Sequence, residues 1–251
     1  MALTQLQIKE LLDENSFHQC EGIGKDRICV RIAAIAELPS RFGTYQVVAF
    51  WNNRDGKEHA AFVHGDVTGG EDVPVRLHSE CLTGDAIGSL RCDCRDQLES
   101  ALTAIGRMEC GILLYLRQEG RGIGFLNKVR AYGLQDHGMD TVEANLALGF
   151  RDDERDYSVA AHMLMSLKVA SIRLMTNNLK KISGLEALGV KVIGRIPLIT
   201  TPNPYNRFYL ETKKVKSGHL LDPRGMERLA EQIDRPVLDG MSASDAEMIQ
   251  E

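Results

Sequence analysis

Three cysteines lie close together in the segment HSECLTGDAIGSLRCDC, residues 78–94, with the spacing C-x10-C-x-C. Thiolate sulfur suits zinc, and two ligands one residue apart can chelate a single ion. Three protein ligands leave a fourth position open. That is the arrangement of a catalytic zinc, whose bound water has its pKa lowered to about 7. Cys81, Cys92 and Cys94 are therefore candidate metal ligands. Two other readings stay open at this level. The thiols could be reduced core residues, since free cysteine is often buried. They could also hold a structural zinc completed by His78 or Asp93. Cys20, Cys29 and Cys110 stand apart and read as core cysteines.

A second pattern lies downstream. The apolar run GILLYLR (111–117) leads into QEGRGIG (118–124) and then into a helical stretch. Glycines there let backbone N–H groups approach an anion, a helix N-terminus favours negative charge, and Arg121 can add a bidentate phosphate contact. A dinucleotide fingerprint does not fit, because counting from Gly120 the third required glycine falls on Phe125. No GxxxxGK[ST] phosphate loop occurs. The charged run RDDERD (151–156) reads on composition as a solvated turn whose carboxylates cap the next helix.

The elements that must position these residues follow from periodicity. A short helix is expected over 5–13. Strand-like runs ICVRI, TYQVVAF and HAAFVHG, punctuated by Gly and Asp between 28 and 66, suggest an antiparallel region. Leu98, Ala101, Leu102 and Ile105 fall at helical spacing. GILLYLR is a buried strand. Helices follow over 125–137, 157–168 and 182–189, with strands SIRLMT and VKVIGRI between and after the last two. Strands alternating with helices predict an α/β (α+β) fold: a mixed sheet with antiparallel N-terminal strands and βαβ crossovers flanked by helices. Residues 222–251 carry scattered charge and no long periodic run, the pattern of a loosely docked or disordered tail.

The chain has 251 residues, 43% of them hydrophobic, enough for one sizeable core. A formal net charge of -5 supplies no global field for nucleic acid. No apolar stretch approaches the roughly 20 residues that span a bilayer, and the polar N-terminus MALTQLQIKELLDEN is not a secretory signal. The expected setting is the cytoplasm, without membrane partners. Six cysteines are too few for a disulfide scaffold and fit a reducing compartment.

Taken in order, RLHSECLTGD (76–85), SLRCDC (89–94), YLRQEGRGIG (115–124), NKVRAY (127–132), DTVEAN (140–145), DERD (153–156) and TNNLKK (176–181) closely resemble GTP cyclohydrolase II, the family that commits GTP to riboflavin synthesis. The resemblance covers roughly 38–220. It implies a catalytic domain over 38–220, an N-terminal extension over 1–37 and a C-terminal tail over 221–251. No segment resembles the dihydroxybutanone phosphate synthase fused to many members, so the chain looks like the monofunctional form. The resemblance further implies that Cys81, Cys92 and Cys94 hold one zinc per subunit. Water activated there attacks C8 of guanine, opens the imidazole ring and releases formate. GTP contacts carry over to Arg76, Leu77, His78, Ser79, Glu80, Gln97, Glu119, Gly120, Arg121, Thr141, Thr176 and Lys181. Glu80 suits the guanine N1 and N2 donors, since a carboxylate accepts two parallel hydrogen bonds; Arg121 and Lys181 suit the phosphates.

For pyrophosphate release the family role of nucleophile falls on Arg155, with Asp153 as proton acceptor. A guanidinium pKa above about 12 favours instead a cationic Arg155 that stabilises transition-state charge. Tyr132 takes the position of the catalytic tyrosine, and its presence implies full deformylation. Mg2+ is expected with the substrate phosphates, and a homodimer is implied. One departure is Leu179, where the family usually has proline after TNN. Two rival readings are a paralogue with the same ring opening in another pathway, and a non-catalytic zinc-stabilised nucleotide-binding protein.

Overall fold

The computed structural model describes residues 3–16, 28–198, 200–206 and 210. Seven strands form one mixed sheet: β1 (Val30–Ser40), β2 (Gly43–Asn52), β3 (His59–His64), β4 (Val73–Ser79), β5 (Gly111–Leu116), β6 (Ile172–Met175) and β7 (Val192–Ile196). Their order across the sheet is β1-β2-β3-β5-β4-β6-β7. The first four positions pair antiparallel and the last four parallel, with β5 belonging to both regimes. Among the described residues six α-helices flank the sheet: α1 (Gln5–Ser16), α2 (Cys94–Ile105), α3 (Gly124–Asp136), α4 (Thr141–Ala147), α5 (Ser158–Ser166) and α6 (Leu179–Glu186). The expected mixed α/β sheet with antiparallel N-terminal strands and helical crossovers is what forms.

Alternation along β5 divides the core between two faces. Ile112, Leu114 and Leu116 join the larger cluster, with residues of α1, α5 and α6. Leu113 and half-buried Tyr115 join a smaller cluster under α2, with Ala101 and Ile105. Helices on both faces leave β5 fully covered, so its apolar run is continuous.

β4 and α4 stand outside the expected elements. β4 reads VPVRLHS; Pro74, Arg76 and His78 break its apolar pattern, yet β5 and β6 flank it on both sides. α4 is short and is set by a capping box in which Asp140 accepts from Val142 and Glu143 N–H and Glu143 returns a bond to Asp140 N–H. α6 begins earlier than its periodicity suggests, because Asn178 caps it by accepting from Lys180 N–H. Cys29 corrects a second expectation. It is half-buried just before β1 and disulfide-bonded, not a core thiol. Cys20 and the expected tail over 222–251 lie outside the described residues, whereas Cys110 packs as a free thiol against the larger core.

One buried histidine ties the antiparallel strands to the loop after β5. His59 Nδ1 accepts from Arg117 N–H at 3.0 Å, which leaves the ring proton on Nε2 facing Asp55 at 3.2 Å. Burial pushes the His59 pKa down and outweighs the opposing pull of Asp55. Protonating Nδ1 would break the bond to Arg117. An unfolded histidine takes up its proton near 6.5, so below that pH the unfolded state binds more protons than the folded one and stability falls. The thermal midpoint is expected to drop between about pH 7 and 5.5. His59→Gln should reduce that slope without abolishing it, because burial also lowers the pKa of His78. An unchanged slope in His59→Gln, read by thermal unfolding at each pH, would refute the assignment.

Candidate active site

In open α/β sheets, ligand sites form outside the carboxyl ends of parallel strands, where successive crossovers diverge. Here β4 connects through α2 to β5 on one side, while β6 connects through α6 to β7 on the other. The divergence falls between β4 and β6. Their carboxyl ends deliver Ser79, Glu80 and Cys81 from β4 and Thr176, Asn177 and Asn178 from β6.

The chain leaves β4 at Cys81, makes one wide turn over Leu82–Ala86, and returns through Cys92 to start α2 at Cys94. The three sulfurs lie within 4.8 Å of one another, with Cys81 and Cys92 3.8 Å apart. Among the described residues they form the one such group of His, Cys, Asp or Glu, and neither His78 nor Asp93 joins it. His78 Nε2 is instead directed at Asp85 at 3.0 Å, and Asp93 accepts from Gln97 Nε2 at 2.5 Å. The structural-zinc reading with either residue as fourth ligand therefore fails on geometry.

Gly84 lines the cradle. A Cβ built there would stand 2.9 Å from the Cys92 sulfur and 3.1 Å from that of Cys81. Soft thiolates on three corners of a small cavity fit zinc. Asp85 braces the turn, accepting from Cys81 N–H at 3.0 Å and from Tyr115 Oη at 2.8 Å. Hydrogen bonds from Cys92 and Cys94, with the charge of Lys128, hold the Cys81 thiol well below its ordinary pKa. Its hydrogen-bonded cysteine partners are pushed up, Cys92 to about 11.

Two adjoining clefts surround this centre. The first, of about 720 Å³ and open to solvent, is lined by Ser79, Glu80, the three cysteines, Glu119, Gly120, Arg121, Lys128, Tyr132, Thr141 and Arg155, among others. The second, of about 730 Å³, is lined by Arg76, His78, Ser79, Asp93, Cys94, Gln97, Arg121, Arg155, Thr176, Asn177, Asn178, Lys181 and Leu198. Ser79, Cys94, Arg121 and Arg155 belong to both. Of the metal-ligand, catalytic and GTP-contact residues expected from sequence, only Leu77 and Asp153 line neither cleft. Leu77 is buried, and its carbonyl accepts from Lys181 Nζ at 2.9 Å. Asp153 stands behind Arg155 and grips Nε at 2.8 Å and Nη2 at 2.5 Å. Burial would raise the Asp153 pKa, but its bonds to Arg155 outweigh this and hold it below the usual carboxylate range.

The glycine-rich turn works by backbone geometry. Gly120 and Arg121 both have left-handed φ, 62° and 59°. At Gly122 (φ 97°) an added Cβ would meet the Glu154 backbone at 3.0 Å. Glu154 N–H in turn donates to Arg121 carbonyl oxygen at 3.0 Å. The turn and the 151–156 segment are thus zipped together. The reading of that segment as a solvated turn with capping carboxylates holds at its ends, where exposed Arg151 pairs with Glu154 and Asp156 pairs with Arg54 and accepts from Ser158 N–H at the start of α5, and fails at Arg155, which is largely buried against Asp153. Arg121 pairs with Asp152 across the zip.

Arg76 is buried on β4. It donates to Gln97 Oε1 at 2.6 Å and to Met175 carbonyl oxygen at 3.0 Å, and burial brings its pKa down to about 10. Arg76, Arg121, Arg155 and Lys181 place four basic side chains on the second cleft, against the single carboxylate of Asp93. Tyr132 faces the first cleft, its hydroxyl 3.4 Å from Thr83 Oγ1, and burial raises its pKa. Leu179 is the first residue of α6 and half exposed; it lines neither cleft. The Asn178 cap starts the helix without help from a proline, which would be tolerated at that position.

Sequence reasoning passed over Lys128 and Asp85. Both lie inside quoted motifs, and Lys128 stands four residues before Tyr132, hence on the same helix face. Burial opposes the Lys128 charge, but Glu119 and Cys81 outweigh it and raise its pKa.

Comparison with known proteins converges on one family. The family model described as GTP cyclohydrolase II matches residues 30–197. A GTP cyclohydrolase-2 of Picrophilus torridus is 56% identical over 185 residues, covering 74% of this chain and 96% of that protein. One from Aeromonas hydrophila is 55% identical over 191 residues, covering 76% and 97%. A crystal structure of a two-domain 3,4-dihydroxy-2-butanone 4-phosphate synthase from A. baumannii aligns with 68% of this chain and 38% of its own at TM-score 0.33 and 13% identity, too distant to inform the site.

Gly84→Ala should weaken zinc binding by about 5- to 150-fold, since overpacking costs about 1–3 kcal/mol. Gly133→Ala, with nothing within 4 Å, serves as the control. Chelator competition measures both, and equal affinities would show that the turn does not need glycine at 84.

Proposed function

Since the chain belongs to the GTP cyclohydrolase II family, we propose that it binds GTP across the two clefts, with guanine over the three cysteines and the triphosphate among the basic side chains. The reaction is hydrolysis of GTP, opening the guanine imidazole ring as in riboflavin biosynthesis. We take the products to be formate, pyrophosphate and 2,5-diamino-6-(5-phosphoribosylamino)pyrimidin-4-one. The carrying observation is the partition itself: a sulfur cradle on one side, Arg76 and Lys181 on the other, and Arg121 and Arg155 between them.

Zinc held by Cys81, Cys92 and Cys94 would supply Lewis acidity that activates water for attack on C8. The remaining work falls to the chain. Glu80, beside Arg117 at 3.5 Å, lines the first cleft and accepts the guanine N1 and N2 protons. Tyr132 has a raised pKa and so stays protonated, which suits it to donate or orient a proton as the ring opens. Thr141 offers a hydroxyl at the start of α4, and Thr176 does so beside Asn178. Arg76, Arg121 and Lys181 meet the phosphates, with Mg2+ neutralising further charge.

Asp153 holds Arg155 through two guanidinium nitrogens. That double grip favours a cationic Arg155 that stabilises charge at the α-phosphate. The nucleophile reading requires the same carboxylate to remove a proton. A homodimer and the cytoplasm complete the proposal, as does the division into extension (1–37), catalytic domain (38–220) and tail (221–251).

Incubation with GTP and Mg2+, followed by product mass spectrometry, is expected to show the deformylated pyrimidine, formate and pyrophosphate. Cys92→Ser should abolish ring opening, and Tyr132→Phe should slow it by about 10²–10⁴. Equal ring opening by wild type and Cys92→Ser would defeat the metal assignment. A nucleotidylated Arg155 peptide, its guanidine bonded to the α-phosphorus with pyrophosphate lost, trapped during turnover would replace the cationic role of Arg155 with the nucleophilic one.

A further inference from the structure

Lys128 is a buried cation inside the first cleft to which the reading above gives no task. It is 8% exposed. Its Nζ lies 3.1 Å from the Cys81 sulfur and 2.7 Å from Glu119 Oε1. Glu119 is itself held, with Oε2 accepting from Leu82 N–H at 2.6 Å, in the turn that leaves Cys81. The ammonium is thus pinned from α3 against one sulfur, while its carboxylate partner is pinned to the cradle's own backbone.

We infer that Lys128 is a positioning residue for the metal centre: its N–H···S hydrogen bond to Cys81 sets how much charge that sulfur donates to a metal held by the three cysteines. The inference rests on the metal reading above. Three thiolates around a dication leave one net negative charge in a buried place. Leaving it uncompensated is costly. Glu119 adds another negative charge, and Lys128 is the cation in contact with both. A donor on a coordinating sulfur withdraws electron density from it, and such outer partners tune a bound metal. The other two sulfurs have no ammonium contact among the described hydrogen bonds. The asymmetry singles out Cys81 as the weakest electron donor of the three and leaves the metal more Lewis-acidic than three equivalent thiolates would.

Cobalt(II) loaded in place of zinc gives a sulfur-to-metal charge-transfer band that reads this donation directly. Wild-type protein should show the band. Lys128→Met should shift it to lower energy, because Cys81 becomes more electron-rich, and Lys128→Arg, which keeps an N–H donor, should restore most of the shift. Iodoacetamide should alkylate Cys81 several-fold faster in zinc-loaded Lys128→Met than in wild type, as located by peptide mass spectrometry, with Cys92 and Cys94 unchanged. If Lys128→Met fails to fold because Glu119 is left unpaired, Lys128→Met/Glu119→Gln removes both charges and carries the same spectral test. A band of unchanged energy in the folded variant would overturn the inference and leave Lys128 as the ion-pair partner of Glu119. No band in wild type would overturn the metal reading and the inference with it.

Discussion

The position of β4 in the sheet is the constraint on which the site depends. It is held in parallel register by β5 on one side and β6 on the other. Its successive side chains therefore point to opposite faces while its carboxyl end opens into the gap between diverging crossovers. Arg76 is fixed by the register, Cys81 begins the cradle where the strand stops, and Lys181 from α6 reaches the Leu77 carbonyl. Displacing β4 by one residue would turn Arg76 to the opposite face and carry the Leu77 carbonyl away from Lys181.

Charge is distributed with the same economy. Each cation of the site has an assigned anchor: Arg76 on Gln97 and a carbonyl, Arg121 on Asp152, Arg155 on Asp153, Lys128 on Glu119. Anchoring limits the motion of long side chains, so less conformational entropy remains to be lost when an anion binds. It also makes the site costly to dismantle piecemeal, because removing either member of a buried pair strands the other.

Much of this was legible in the chain itself, and unevenly so. The antiparallel strands, β5, α2 and α3 follow from plain periodicity. β4 did not, because a strand that supplies an arginine and a histidine to a cleft cannot also keep an apolar rhythm; the functional residues erased the signal of the element that carries them. α4 owes its start to a capping box rather than to a long amphipathic stripe. The cysteine spacing pointed to a metal but could not choose among an open site, a closed site and a core cluster. Setting aside His78 and Asp93 as fourth ligands needed Asp85, which occupies His78, and Gln97 and Thr200, which bond Asp93. The run at 151–156 misled at one position for a related reason: its adjacent opposite charges look solvated throughout, yet the zip with Arg121 and Gly122 folds Arg155 inward while Arg151 stays exposed and Asp156 partly exposed.

The wall shared by the two clefts has a temporal consequence. Arg121 and Arg155 face both chambers, so a ligand long enough to fill the two presents both of its reactive ends at once. Neither half need leave for the other to react, and the two cleavages can proceed on one residence of the molecule. A ligand that fills a single chamber forfeits the shared wall's grip on its far end. On the proposed binding mode the fold would measure its ligand by span before chemistry begins, and a truncated nucleotide would be discriminated by how briefly it stays.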